Sequence, residues 1–170
     1  RARNTKVQED AMTELAVASD KVVGLTARDV LRAKGTRVFT VLPSQPVLEV
    51  AGLLAEHSLG SLVVTDEGGQ VVGMLSERDI LRALARDAAT PTRTRVADLM
   101  TRQVIIGLPE DTIDEMLAVM TEKRIRHLPI IDRGKLAGIL SIGDCVKAKA
   151  HHAEVAVHYL TDFITGKYPA

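Results

Sequence analysis

The chain has no tryptophan, and only two phenylalanines and two tyrosines in 170 residues. A stacking platform for single-stranded nucleic acid needs aromatic faces, so this composition argues against one. Charge of one sign is missing as well, with Lys plus Arg at 22 and Asp plus Glu at 22. No basic field exists to draw in nucleic acid or an anionic membrane surface. No apolar run approaches the roughly 20 residues that span a bilayer, and the opening RARNTKVQED is too polar for the apolar core of a secretion signal. A single cysteine, Cys145, excludes an internal disulfide and suits a reducing compartment. The expectation is a cytoplasmic protein that meets neither membrane nor nucleic acid. What is abundant is Val, Ile, Leu, Ala and Met, enough for one domain or two small fused ones.

The chain repeats itself. LPSQPVLEVAGLLAEHSLGSLVVTD (42–66) lies without gaps on LPEDTIDEMLAVMTEKRIRHLPIID (108–132). The second copy then drops one turn residue, DEGGQ becoming DRGK, and GMLSERD (73–79) resumes on GILSIGD (138–144). Each copy reads strand, helix, strand, strand, helix. Short runs at 39–41 and 104–106 end at Leu-Pro, which breaks a strand. Val47, Val50, Ala51 and Leu54, like Ile113, Met116, Leu117 and Met120, have helical spacing. Thr112 with Glu115 offers a capping box. Runs at 62–65 and 71–76, and again at 128–131 and 136–141, read as hairpins. A unit of this size is marginal alone, so two copies paired about a pseudo-twofold axis would bury each other's apolar faces.

These features resemble a tandem pair of CBS (cystathionine-β-synthase) domains of the small stand-alone type. The βαββα order, the glycine before the third strand and the Gly-φ-φ-Ser/Thr-x-x-Asp boundary (φ apolar) carry the resemblance across about residues 36–150. It implies a mixed α/β fold of two βαββα repeats with flanking N- and C-terminal helices. The boundaries drawn are 1–35 for an N-terminal extension and helix, 36–90 for the first repeat, 91–150 for linker and second repeat, and 151–170 for a C-terminal amphipathic helix. It also implies a regulatory role, with AMP, ADP, ATP, an NAD-type or an S-adenosyl compound as ligand (magnesium only alongside ATP), in a homodimer that signals to a regulated partner.

An S-x-x-D box is by itself a helix cap, since Ser caps well and an acid favours the first turn. Here it occurs twice, each time after the central strand of an open sheet, where ligands tend to sit. An acceptor-only carboxylate suits a ribose diol, and flat aliphatic walls suit a purine. The main site is expected at Ser141 and Asp144, with walls from Val104, Ile105, Ile125, Leu128 and Pro129, beside His127. Arg126 and, across the pseudo-twofold, Arg78 would hold phosphate. A second site is expected at Ser76 and Asp79, with Phe39, Val41, Leu59, Gly60, Ser61 and Val63.

Other features carry weaker signals. Arg93, Thr94 and Arg95 read as a solvated linker more readily than a phosphate contact. His151, Glu154 and His158 share a helical face but lack a fourth ligand, so no metal site is assigned. Cys145 reads as a small core residue. Val155, Tyr159, Leu160, Phe163 and Ile164 form an apolar stripe suited to bracing a dimer, and Val7, Ala11 and Leu15 form a weaker one. No nucleophile–base pair, P-loop or metal cluster is visible, which disfavours an enzyme. The alternative to a nucleotide sensor is a ligand-free dimerisation scaffold.

Overall fold

Thr26 opens the first described helix by exchanging bonds with Asp29: its N–H and hydroxyl donate to Asp29 Oδ2, and Asp29 N–H donates back to Thr26 Oγ1. The computed structural model describes residues 24–87 and 93–165, apart from the side chains of Tyr159 and Phe163. The segment holding Val7, Ala11 and Leu15 lies outside them. Helix α1 is Ala27–Lys34, followed by strand β1 (Thr40–Val41), α2 (Val47–Glu56), β2 (Ser61–Thr65), β3 (Val71–Ser76) and α3 (Glu77–Arg86). After the linker come α4 (Val96–Leu99), α5 (Ile113–Glu122), β4 (His127–Asp132), β5 (Lys135–Ser141) and α6 (Ile142–Ile164). The expected box at Thr112 and Glu115 caps α5.

In the first repeat β1 runs parallel to β2, and β2 antiparallel to β3. In the second, β4 pairs antiparallel with β5. The strand expected at 104–106 does not form; a single parallel bridge, Gly107 to Ile130, stands where Val41 pairs with Val64. Backbone reaches the sheet there because Gly107 has no side chain: a Cβ would come to 3.0 Å of both Ile130 and Leu128. A second difference lies at the C-terminus. The last helix of the repeat and the expected terminal helix are one continuous rod of 23 residues.

Two apolar cores form, and each is completed by a helix from outside its own repeat. Ala27, Val30 and Leu31 of α1 pack with Met116, Leu128, Ile130 and Leu140 of the second repeat. Val96 of α4 and Met100 beyond it pack with Val47, Leu62, Val64 and Leu75 of the first. The backbone repeats this crossing. Ala27 and Arg28 N–H donate to Asp111 and Pro109 carbonyls, while Val96 and Ala97 N–H donate to Gln45 and Pro43 carbonyls, all at 2.9 Å. ARDVL (27–31) is therefore the counterpart of VADLM (96–100), and the packing runs across the sequence boundaries drawn at residues 35 and 90. Both crossings end on a glycine: a Cβ on Gly138 would lie 2.5 Å from Leu31, and one on Gly73 2.6 Å from Met100 Sδ.

The other face of β2 is covered too, since Ser61, Val63 and Thr65 are buried along with Leu62 and Val64. The two halves meet where a Cβ on Gly60 would stand 3.2 Å from His127 Cε1. Overpacking a filled contact costs about 1–3 kcal/mol. Gly138→Ala is expected to cost about that much in urea unfolding, and far less in a Leu31→Ala background, because both act on one contact. Equal costs in the two backgrounds would refute the seating of α1.

Candidate functional site

A cavity of about 300 Å³ opens where the end of β3 and the start of α3 meet the second repeat's linker and β4 entrance. Ser76, Arg78 and Asp79 line it from the first repeat, with Gly60 and Ser61. Val104, Ile105, Ile125, Arg126 and His127 line it from the second. The cavity regroups the two sets read from the sequence. The walls and Arg78 assigned to Ser141 and Asp144 surround Ser76 and Asp79 instead, because the start of α3 shares its cleft with the other repeat's loops.

The remaining expected residues lie elsewhere. Leu128 belongs to the second core, Pro129 is a buried strand residue, and Val41 and Val63 are buried in the first repeat. Leu59 packs on the first core, and Phe39 stacks on the His57 ring at 4.4 Å between centroids. Ser141 and Asp144 form the matching box at the start of α6.

Both boxes are helix caps in fact. Ser76 N–H and Oγ donate to Asp79 Oδ2 at 2.9 and 2.5 Å, and Ser141 N–H and Oγ donate to Asp144 Oδ2 at 2.7 Å each. Capping occupies one oxygen of each carboxylate. Asp79 Oδ1 stands 3.9 Å from Arg82 Nη1. Ser61 Oγ is shut off from solvent without a hydrogen-bond partner among the described residues, although its residue lines the cavity. A buried hydroxyl left so costs about 1–3 kcal/mol, which a small turn toward a water or ligand would relieve.

Sequence reasoning missed Arg82, Arg124, Glu77, Thr101 and Gln103, which also line the cavity. Arg82 was readable, lying three residues after Asp79 and four after Arg78 on the same helical face. Arg124 was not, because it enters through a left-handed turn with φ 55°. Ser58, its counterpart, has φ 52°, so the turn belongs to the repeat rather than to strain at the site. Thr101 and Gln103 follow α4, whose equivalence to α1 emerges only in the packing.

Charge around the join is uneven. Burial, then the Lys34 ammonium and Arg126, lower the His127 pKa, opposed by Asp144 and Glu77. For Asp144, burial alone would raise the pKa, but the ammonium of Lys34 and the bonds from Ser141 outweigh it and the net shift is downward. Cys145 sits in the second core, and burial followed by the nearby Asp144 charge pushes its thiol up to about 11. Arg95 reaches the Ser44 carbonyl, and Thr94 accepts from Val47 N–H, so both serve the crossing of α4. His158 pairs with Asp162 at 3.2 Å, and among the described residues no three His, Cys, Asp or Glu side chains gather to hold a metal. No described helix is long and apolar enough to cross a membrane.

The family model for the CBS domain matches residues 27–86 and 96–151. The chain belongs to the CBS domain family. Its two matches take in α1 and α4, the helices that cross between repeats. The mitochondrial CBS domain-containing protein CBSX3 of Arabidopsis thaliana is 31% identical over 151 residues, 84% of this chain and 73% of the relative. Among solved structures, a CBS-domain protein from Agrobacterium tumefaciens is 41% identical, with a TM-score of 0.71 over 73% of this chain and 98% of that one. The CBS-pair protein CBSX2 of Arabidopsis thaliana, solved in complex with AMP, is 29% identical, with a TM-score of 0.64 over 75% and 98%.

The lowered pKa of His127 makes a pH prediction for this CBS pair. The unfolded chain takes up the proton near 6.5 and the folded chain only at lower pH, so neutral His127 favours folding above 6.5 and opposes it as pH falls below. Thermal melts at pH 7.5 and 5.5 should show a smaller loss of Tm for His127→Asn than for the wild type. Equal losses would contradict the shift.

Proposed function

We propose that this CBS pair is a regulatory module that binds an adenine nucleotide in the cavity at Asp79. The supporting observation is that one cavity of about 300 Å³ joins a carboxylate at a helix start, an aliphatic slot and four arginines. That volume is at the small end of ligand sites. Asp79, whose Oδ1 lies outside the capping box, takes the ribose hydroxyls. Val104, Ile105 and Ile125 flank the purine, and Arg78, Arg82, Arg124 and Arg126 hold phosphate as forked, permanently charged donors. Glu77 and Asp79 offset only part of that charge. The balance favours AMP, ADP, ATP or an NAD-type ligand over S-adenosylmethionine, whose sulfonium adds a positive charge; with ATP, magnesium would arrive on the triphosphate. The AMP bound to CBSX2 supports the ligand class.

Regulation requires that the nucleotide bind two conformers or assemblies unequally. The reading includes a homodimer that passes occupancy to a regulated protein. Exposed Leu81 on α3 and exposed Val146, Val155, Leu160 and Ile164 along α6 support such an assembly. A ligand-free scaffold is the second reading, favoured by the fact that both aspartates already serve as caps.

Thermal shift and calorimetry with AMP, ADP, ATP, NAD and S-adenosylmethionine decide between them. A ligand at 100 times its Kd adds about 2.7 kcal/mol to stability. Charged hydrogen bonds are worth about 1.5–3 kcal/mol, so Asp79→Ala should weaken nucleotide binding at least about tenfold. Asp144→Ala should change it less than about twofold. No shift with any compound leaves the scaffold, and equal losses from the two substitutions reject Asp79 as the ribose ligand.

A further inference from the structure

The two Ser-x-x-Asp boxes differ in what else lies on the carboxylate. Among the described residues Asp79 Oδ2 accepts from Ser76 alone, and the Arg82 guanidinium stands 3.9 Å from its other oxygen. Asp144 Oδ2 takes a further donor, Lys34 Nζ at 2.5 Å, and the same ammonium donates to the Ile139 carbonyl at 3.0 Å. Lys34 comes from α1, more than a hundred residues away along the chain.

The pseudo-symmetry explains how it arrives. Ile139 is the counterpart of Met74, whose carbonyl accepts the Thr101 N–H at 2.8 Å in a short backbone bridge. That bridge exists because α4 stops at Leu99 and the chain runs on extended past β3. α1 continues one turn further, to Lys34. The backbone donor is thereby lost, and the lysine side chain supplies a donor to the orphaned carbonyl instead. Gln103, the counterpart of Lys34, lies on the wall of the cavity at Asp79. One half thus presents an uncharged amide on the wall of the cavity that holds its aspartate, and the other an ammonium seated on the aspartate itself.

A ribose diol needs a carboxylate whose charge is still available, and at Asp144 an ammonium already stands on the carboxylate beside the two bonds from Ser141. Lys34 and Asp144 side chains are 36% and 24% exposed, so the pair is open to solvent from one side at the start of α6. We infer that Lys34 is a built-in plug of the second cleft, so that the chain takes one nucleotide, at Asp79, and Asp144 receives another only when Lys34 is withdrawn. The number of ligands per chain is then set by the docking of the N-terminal helix on the second repeat, not by the boxes themselves. This inference rests on the nucleotide reading for its consequence, though not for the plug.

Native mass spectrometry and equilibrium dialysis with AMP and with ATP count the sites. The wild type should bind one nucleotide per chain and Lys34→Ala two. Asp79→Asn should bind none, and Asp79→Asn with Lys34→Ala should bind one. Lys34→Gln is a second variant that keeps helix propensity and removes the charge. Two nucleotides on the wild type, or one on both Lys34 variants, overturns the plug. A ligand-free measurement separates the two failures. Reductive methylation of the full chain should label Lys34 several-fold more slowly than exposed Lys135, and Asp144→Asn should bring the rates together. If no variant binds nucleotide, the functional reading falls, and a Lys34 that labels as fast as Lys135 in the wild type sinks the plug by itself.

Discussion

The exchange of leading helices is the constraint from which the rest of the molecule follows. Each repeat lacks one wall of its core, and the missing wall is the helix that precedes the other repeat. Leu31 closes on Gly138 and Met100 on Gly73, at distances no side chain on those glycines would permit. Burial of a leucine-sized side chain is worth about 1.5–3 kcal/mol, and the paired backbone bonds of each crossing add direction to it. Neither repeat is a complete unit by itself. The domain pair is the unit.

That same exchange makes the cavity. Once α4 is committed to the first repeat, the chain behind it must return to the second, and Thr101 to Ile105 pass beside the start of α3 on the way. The aspartate of one repeat is in this way walled by loops of the other. The equivalent route behind α1 is longer by one helical turn, which carries an ammonium to the equivalent aspartate. Near-identical halves consequently surround their aspartates differently, and His127 lies at their join, touched by charge from both sides.

Much of the fold is legible in the sequence. The gap-free alignment of 42–66 on 108–132 and the doubled Gly-to-Asp boundary led to the repeat, to its family and to the caps. Val47, Val50 and Leu54, with Met116 and Met120, are core residues as their spacing required. Pairing at 104–106 was misread because apolar content suggests a strand, whereas sheet contact there needed the bare backbone of Gly107. The kinship of ARDVL and VADLM was missed because only one residue, the capping aspartate, is shared between them, and what they have in common is a packing role.

The sequence by itself determined the local periods, the caps, the twofold repetition and the residue types of two sites, since these depend on neighbours a few positions apart. Only the tertiary structure decided which aspartate meets which wall. That choice depends on how far a helix runs before the chain turns, a matter of one turn of α1 or α4 over contacts 27 to 110 residues apart along the chain. Local pattern does not encode such a distance. The closure of a shared core does.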